Sequence, residues 1–294
     1  MARGRLGFFW GNKVWGQRPS GELYVKEALK RSSPNWIDYR TLPGGSTESL
    51  LLEAYAFREQ RIRLHNQIIE QCIRESGATK VEKPACIITS GGTASGKTSV
   101  MDFFVNEVLQ EFAEEKFIRI DFDRIKRLLP EYEHMTGLKI KEAAPYTQSE
   151  SAKISGKYFK RAIKEGTNII FETTLGNPTT LEERIREMKR KGYVVYIVGT
   201  HLKEPEGQAR AITRFNRGGR YVPPEAIKAT YQGCPVSLKQ LADKVDILIL
   251  FDNNGSRPLP MFVRQKAPEL NQVLDGTAYA AYLQEVGNNN DLTK

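Results

Sequence analysis

Cysteine is scarce in this sequence: Cys72, Cys86 and Cys234 are the only three in 294 residues. They are too few and too scattered for a disulfide framework, and no Cys-x-x-Cys pair is present to clip a zinc ion. A reducing, cytoplasmic setting is the simplest expectation. Histidine is equally sparse, and His65, His134 and His201 have no metal-ligand spacing to one another, so each reads as a packing or surface residue. No run of about 18 apolar residues exists to span a bilayer. The basic N-terminus carries an apolar stretch, Leu6 to Trp10, that is too short for a secretory signal, and no secretion is expected. Glycine (24) and proline (14) are at ordinary levels, which excludes collagen-like and low-complexity chains. Positive charge is what the chain has in excess: 44 Lys+Arg against 35 Asp+Glu, a net +9. With a pI near 9.3 and a mean hydropathy of −0.47, it is built to meet anions, without saying which.

Local punctuation divides the chain unevenly. Residues 1–45 mix aromatics with Gly and Pro and close on Thr41-Leu42-Pro43-Gly44-Gly45, a loop signature, so they read as a leader. Its basic residues between Lys13 and Arg40 either contact an anion or lie solvated. From Thr47 to Ser76, apolar residues recur at Leu50, Ala54, Phe57, Leu64, Ile68 and Cys72, and Gly77 marks a stop; the period predicts one long amphipathic helix. Its place just upstream of the glycine-rich motif below makes it a candidate shield for that site.

Beyond the helix, continuous apolar runs at 85–89, 117–120, 168–171, 194–199 and 246–251 alternate with helical patterns. Runs of this kind suit parallel strands covered on both faces, and the order predicts an α/β, doubly wound, mostly parallel five-stranded sheet. Capping boxes are read at Thr180-x-x-Glu183 and Ser237-x-x-Gln240. The main domain is expected over 46–256. Residues 257–294, Pro-broken and ending near Asn288-Asn289-Asn290, are expected as an extension with a flexible tail.

The strongest signal is Gly91-Gly92-Thr93-Ala94-Ser95-Gly96-Lys97-Thr98, a complete G-x-x-x-x-G-K-[ST] that follows a strand and opens a helix. Small residues at this spacing let backbone N–H groups curl around a phosphate at a helix N-terminus. Lys97 would reach the β and γ phosphates and Thr98 would give its hydroxyl to Mg²⁺, so Gly91 to Ser99 form the expected nucleotide-binding set. The second strand delivers Asp121-Phe122-Asp123. Asp123 is the candidate base for a substrate hydroxyl and Asp121 is set on the acceptor side, with capping of the next helix the alternative for both. The third strand ends in Glu172-Thr173-Thr174, where an acid after apolar residues suits either Mg²⁺ or the acceptor. Arg210, Arg214, Arg217 and Arg220 lie beside a glycine pair and before Pro224, which opens the next helix. They suit a lid that closes on a triphosphate, although nucleic-acid binders also cluster arginines.

Together these elements resemble the zeta-toxin family of P-loop kinases, whose bacterial members phosphorylate UDP-N-acetylglucosamine. The likeness runs from Cys86 to Asn254 and rests on Ser95-Gly96-Lys97-Thr98-Ser99, Ile120-Asp121-Phe122-Asp123, Ile169-Ile170-Phe171-Glu172-Thr173-Thr174-Leu175, Lys191-Gly192-Tyr193 and the arginines leading to Pro223. The resemblance implies that Lys97 binds the transferred phosphate, Asp123 is the base, Glu172 and Thr174 contact the acceptor, and Arg214 and Arg220 clamp the phosphates. It implies an antitoxin partner as well. Family members tend to carry an acidic substrate-contacting residue in the helix before the third strand; Gly156 falls there in this chain, and Glu150 is the nearest upstream acid. Many members have Glu-Gly-Thr where this chain has Glu172-Thr173-Thr174, and Arg214 and Arg220 stand closer together than in the prototype.

The expected function is therefore ATP- and Mg²⁺-dependent transfer of a phosphoryl group to a hydroxyl of a small acceptor, UDP-N-acetylglucosamine first. A kinase for another nucleotide, a nucleic-acid 5′-hydroxyl or a metabolite is the first alternative. A nucleotide-switched nucleic-acid binder is the second.

Overall fold

The computed structural model describes residues 46–48, 58–109, 116–138, 140–217 and 220–294; the leader at 1–45 and the start of the expected long helix at 49–57 lie outside the described residues. In chain order the elements are α1 (Arg58–Ser76), β1 (Ala85–Ser90), α2 (Lys97–Phe103), β2 (Ile118–Ile120), α3 (Phe122–Arg127), α4 (Pro130–Gly137), α5 (Ala143–Tyr146), α6 (Gln148–Glu165), β3 (Ile169–Phe171), α7 (Pro178–Arg190), β4 (Val194–His201), α8 (Glu204–Asn216), α9 (Pro224–Leu241), β5 (Ile247–Asp252), β6 (Leu259–Gln265), β7 (Leu270–Val273) and α10 (Gly276–Val286).

β1 lies between β3 and β4 and pairs in parallel with both, which buries all six of its residues. Its side chains alternate between two cores. Ala85 and Ile87 join Val100, Met101, Phe104 and Phe251 on one face, while Cys86 and Ile88 join Ile120, Phe171 and Ile197 on the other. A strand covered on both sides reads as a continuous apolar run, and the sequence pattern translates directly into this double burial.

Seven strands make the sheet, in the order β2-β3-β1-β4-β5-β6-β7. The first five in this order are parallel, as expected; β6 and β7 extend the sheet antiparallel and correct the five-stranded expectation. A register shift between Leu250 and Phe251 lies where β6 contributes Pro260, which is the position proline tolerates in a sheet. Residues 257–294 therefore belong to the sheet and its cover rather than to a separate extension. Their end is packed too: Leu292 is buried, its N–H donates to Tyr279 Oη at 2.8 Å, and Lys239 Nζ donates to the Asp291 carbonyl at 2.6 Å.

The caps differ from the two boxes read in the sequence. Asn177, not Thr180, caps α7, accepting from Thr180 N at 3.0 Å, because Pro178 already occupies the first turn. Ser237 lies inside α9, which runs through Pro235 without ending.

α1 is tied to the domain by buried charge. Arg61 donates from Nη1 and Nη2 to the two Glu131 oxygens at 2.6 and 2.9 Å, and from Nε and Nη2 to Glu150. His65 Nε2 lies 2.7 Å from Glu150, and Lys157 Nζ lies 3.3 Å from His65 Nδ1. Burial alone would raise the Glu150 carboxyl, but Arg61 and His65 outweigh it and hold Glu150 below the usual carboxylate range. Burial keeps His65 low, so the neutral ring donates from Nε2 to Glu150 and accepts at Nδ1 from Lys157. This corrects the placement of Glu150 among the acceptor-contacting residues: its side chain is fully buried in an internal network and does not border the cavity described next.

Candidate active site

The carboxyl ends of the parallel strands open into a cavity of about 860 Å³, the position where such sheets receive ligands. Its floor is the loop from β1 to α2. Gly96 caps α2 with φ +90°, and a Cβ there would fall 2.4 Å from Asn253 Nδ2, so only glycine fits. Asn253, just past β5, donates to the Ser95 carbonyl at 2.8 Å, and Thr93 N donates to Thr230 Oγ1 of α9 at 2.9 Å. The loop is thus held from both sides. Lys97 Nζ folds back onto the carbonyls of Gly91 (3.0 Å) and Gly92 (2.8 Å). Burial, with like charge from Arg220 and Arg214, pushes Lys97 down to about 8. Of the expected nucleotide set, Thr93, Ala94, Gly96, Lys97 and Thr98 line the cavity, Gly91, Gly92 and Ser95 are buried behind it, and Ser99 is exposed away from it.

Asp121 caps α3, accepting from Asp123 N at 2.8 Å and Arg124 N at 3.2 Å, the alternative that the sequence left open, while still bordering the cavity. Its cap aims Asp123 inward. Asp123 Oδ2 accepts from Arg220 Nε at 2.6 Å, and Oδ1 lies 3.4 Å from Lys126 Nζ. Burial would raise this carboxyl, but Arg220, Lys126 and Arg214 prevail and hold it below its ordinary value. Glu172, at the end of β3, accepts from Thr98 Oγ1 at 3.2 Å and lies 3.6 Å from Arg119 Nη1. Burial and the nearby Asp121 push Glu172 up. Thr174 also lines the cavity.

Of the four clustered arginines, Arg210, Arg214 and Arg220 border the cavity and Arg217 does not. Arg214 is the most telling, because its Nε and Nη2 are buried with no hydrogen-bond partner among the described residues. An unpartnered buried guanidinium is costly unless an anion completes it. With Lys97 at the floor, these cations fit a triphosphate. No cluster of three or more His, Cys, Asp or Glu able to hold a metal occurs among the described residues, so a Mg²⁺ ion would rest on Thr98, Glu172 and the nucleotide's own phosphates.

Among the described residues of the candidate shield, 47–48 and 58–76, none borders the cavity. Three contributors escaped sequence reading. Asn253 had a usable signal, a polar residue directly after an apolar strand; Lys126 and Thr230 had none, being ordinary helical residues until the fold turns them inward. No helix among the described residues is long and apolar enough to cross a membrane.

Comparison with known proteins agrees with this fold. A chain of the PezAT chromosomal toxin–antitoxin system of Streptococcus pneumoniae has the same fold, with a TM-score of 0.59 and 16% identity over 77% of this chain and 88% of that one. AvrRxo1-ORF1:AvrRxo1-ORF2 gives 0.59 with sulphate ions, at 16% identity over 79% of this chain and 78% of that one. Its ATP-bound structure gives 0.58, at 15% identity over 79% and 78%. No curated protein matches the chain in sequence. The family model for the zeta toxin matches residues 70–259, a span that contains the glycine-rich loop, Asp123, Glu172 and the clustered arginines, and the chain belongs to the zeta toxin family.

Proposed function

We propose that this protein transfers the γ-phosphoryl group of ATP to a hydroxyl of a small acceptor, with Mg²⁺ as the assisting ion and UDP-N-acetylglucosamine as the acceptor that the family resemblance points to. Membership of the zeta toxin family supports a P-loop, ATP-dependent kinase, and the likeness to solved structures supports its fold; the acceptor and the residue roles are the finer part. One observation carries the reading: Lys97, Asp123, Glu172, Arg214 and Arg220, drawn from well-separated stretches of sequence, converge on one cavity.

The chemistry follows from their charges. In the transfer an acceptor oxygen bonds to the γ-phosphorus, the bond from that phosphorus to the β-phosphate oxygen breaks, and the hydroxyl proton passes to Asp123. Asp123 is ionised at neutral pH and suits a late proton transfer, as a loose phosphoryl-transfer transition state requires. Lys97 exchanges the Gly91 and Gly92 carbonyls for phosphate oxygens. Arg214 and Arg220 neutralise charge on the transferred group and the leaving phosphate. A Mg²⁺ ion, when bound, supplies charge neutralisation between the phosphates. Because the arginines turn into the cavity beside Asp123 instead of spreading over an outer face, a small acceptor fits better than a nucleic-acid surface. The likeness to the PezAT toxin–antitoxin chain supports a restraining protein partner for this one.

Transfer of labelled γ-phosphate to UDP-N-acetylglucosamine, followed by the mass of the product, tests the proposal. Asp123→Asn is expected to lower turnover roughly 100- to 10,000-fold while ATP still binds. Lys97→Ala is expected to lose both. ATP binding without any gain of mass by the sugar nucleotide would refute the acceptor assignment.

A further inference from the structure

The two oxygens of Asp123 answer to cations of different standing. Oδ2 accepts a charge-assisted bond from Arg220 Nε at 2.6 Å, and Arg220 lies between α8 and α9. Oδ1 lies 3.4 Å from Lys126 Nζ, which belongs to the same helix as Asp123, three residues along. That spacing puts both side chains on one face of α3, so whatever carries α3 carries the pair together, whereas Arg220 has no such tie. The Lys126 side chain is only 2% exposed, and Asp123 is its one ion-pair partner among the described residues. Burial works against the Lys126 charge and Asp123 supports it. An apolar side chain of the same length would fill this place without a charge to desolvate, so packing alone does not account for the lysine.

Arg220 faces two ways. It acts on the charge of Lys97 as well as on that of Asp123, and so stands between the base and the loop that receives phosphates. A carboxylate oxygen that already holds a guanidinium N–H is badly placed to take a proton from a hydroxyl. Phosphates on Lys97 would compete with Asp123 for Arg220, and once Arg220 turns to them, Lys126 is the direct partner that stays. Arg214 of α8, Tyr132 of α4 and the preceding Asp121 also face Asp123, but none of them bonds to its carboxylate among the described residues.

We propose that Lys126 is a positioning residue for the general base: it holds Asp123 Oδ1 in every state, while Arg220 covers Oδ2 until a triphosphate draws it away and leaves that oxygen to the acceptor hydroxyl. The inference rests on the kinase reading and deepens it, because it sets an order, nucleotide before acceptor, and names the oxygen that takes the proton. The hydroxyl proton passes to Oδ2 as the acceptor oxygen bonds to the γ-phosphorus and the bond from that phosphorus to the β-phosphate oxygen breaks.

Carbon-13 NMR of the full-length protein, labelled at the aspartate carboxyl carbon, provides the test, with Asp123→Asn to identify the resonance. The titration is run free and loaded with Mg²⁺ and a non-hydrolysable ATP analogue. Lys126→Met removes the charge and keeps the buried stem; Lys126→Arg keeps the charge. In the loaded protein Lys126→Met is expected to raise the Asp123 midpoint by about one pH unit or more, and by less in the free protein, where Arg220 still covers Oδ2. Affinity for the analogue is expected to stay within about twofold, while turnover of UDP-N-acetylglucosamine falls about 10- to 100-fold and the acidic limb of its pH profile moves the same way as the midpoint. Lys126→Arg is expected to recover part of each change. An unmoved midpoint in the loaded Lys126→Met protein overturns the proposal, and so does a change no larger there than in the free protein, since Arg220 would then never release Asp123. Parallel loss of affinity for the analogue also overturns it, as Lys126 would then serve the nucleotide or the fold. If the unaltered protein binds the analogue but leaves UDP-N-acetylglucosamine untouched, the acceptor assignment fails and the titration alone decides this inference. Failure to bind the analogue at all strikes the kinase reading, and this inference with it.

Discussion

Arg61 and Arg214 both keep guanidinium nitrogens out of reach of water, but they do opposite things with them. Arg61 sets its fork against Glu131 and Glu150 in a network that also takes in His65 and Lys157. Arg214 leaves Nε and Nη2 without a partner among the described residues. The first arrangement is closed: it joins α1 to α4 and α6 and has no capacity left for a ligand. The second is open, and the free energy lost by burying unpaired donors is recovered only when an anion arrives. Burial of charge alone does not mark a site, therefore. What separates structure from function in this molecule is whether the partners come from the chain itself.

The largest effect that tests this contrast is on stability. Arg61→Leu strands Glu131 and Glu150 in the interior and is expected to cost about 3–5 kcal/mol in urea unfolding. A loss below about 1 kcal/mol would show that the network is incidental. Arg214→Met asks the converse question. Turnover is expected to fall by about 100-fold, while stability holds or improves, because the substitution removes donors that the folded chain does not satisfy; destabilisation comparable to Arg61→Leu would erase the distinction between the two arginines.

The smallest effect lies in pH. Lys97 is lowered to about 8 in the free protein, whereas bound phosphates would favour its charged form. ATP affinity is then full below about pH 8 and falls by up to about tenfold per unit above it, with a proton taken up on binding in that range. Folding has the related dependence: the unfolded lysine holds its proton to higher pH than the folded one, so stability rises between about 8 and the ordinary lysine value. Calorimetry in buffers of different ionisation enthalpy measures the uptake, and a pH-independent affinity between 7 and 9 would contradict the burial of Lys97.

Much of this was open to inspection in the one-dimensional chain, and the failures have definite causes. The glycine-rich loop and the acids at the ends of β2 and β3 could be read because each depends on neighbours a few residues away. Glu150 was misplaced because counting along a helix gives distance without giving direction, and α6 turns that residue toward Arg61 while Gln148 and Ala152 turn to the cavity. Pro260 disguised β6, since the register shift that admits a proline in a sheet leaves no local trace. Arg184, on an amphipathic helix where charge ordinarily means solvent, instead lines the cavity over Phe159 and Phe171, which are distant from it in sequence.

The pinning of the glycine-rich loop has a consequence for how the protein is made. β1 and its loop leave the ribosome early, but β3 and β4, which complete the sheet on either side, come roughly a hundred residues later, and the two pins, Thr230 and Asn253, later still. A nascent chain carries the phosphate-binding sequence long before it has a phosphate-binding site. For a member of a toxin family this order matters: an interrupted or prematurely terminated chain that stops short of α9 lacks both contacts that hold the loop, and one that stops short of β5 still lacks Asn253.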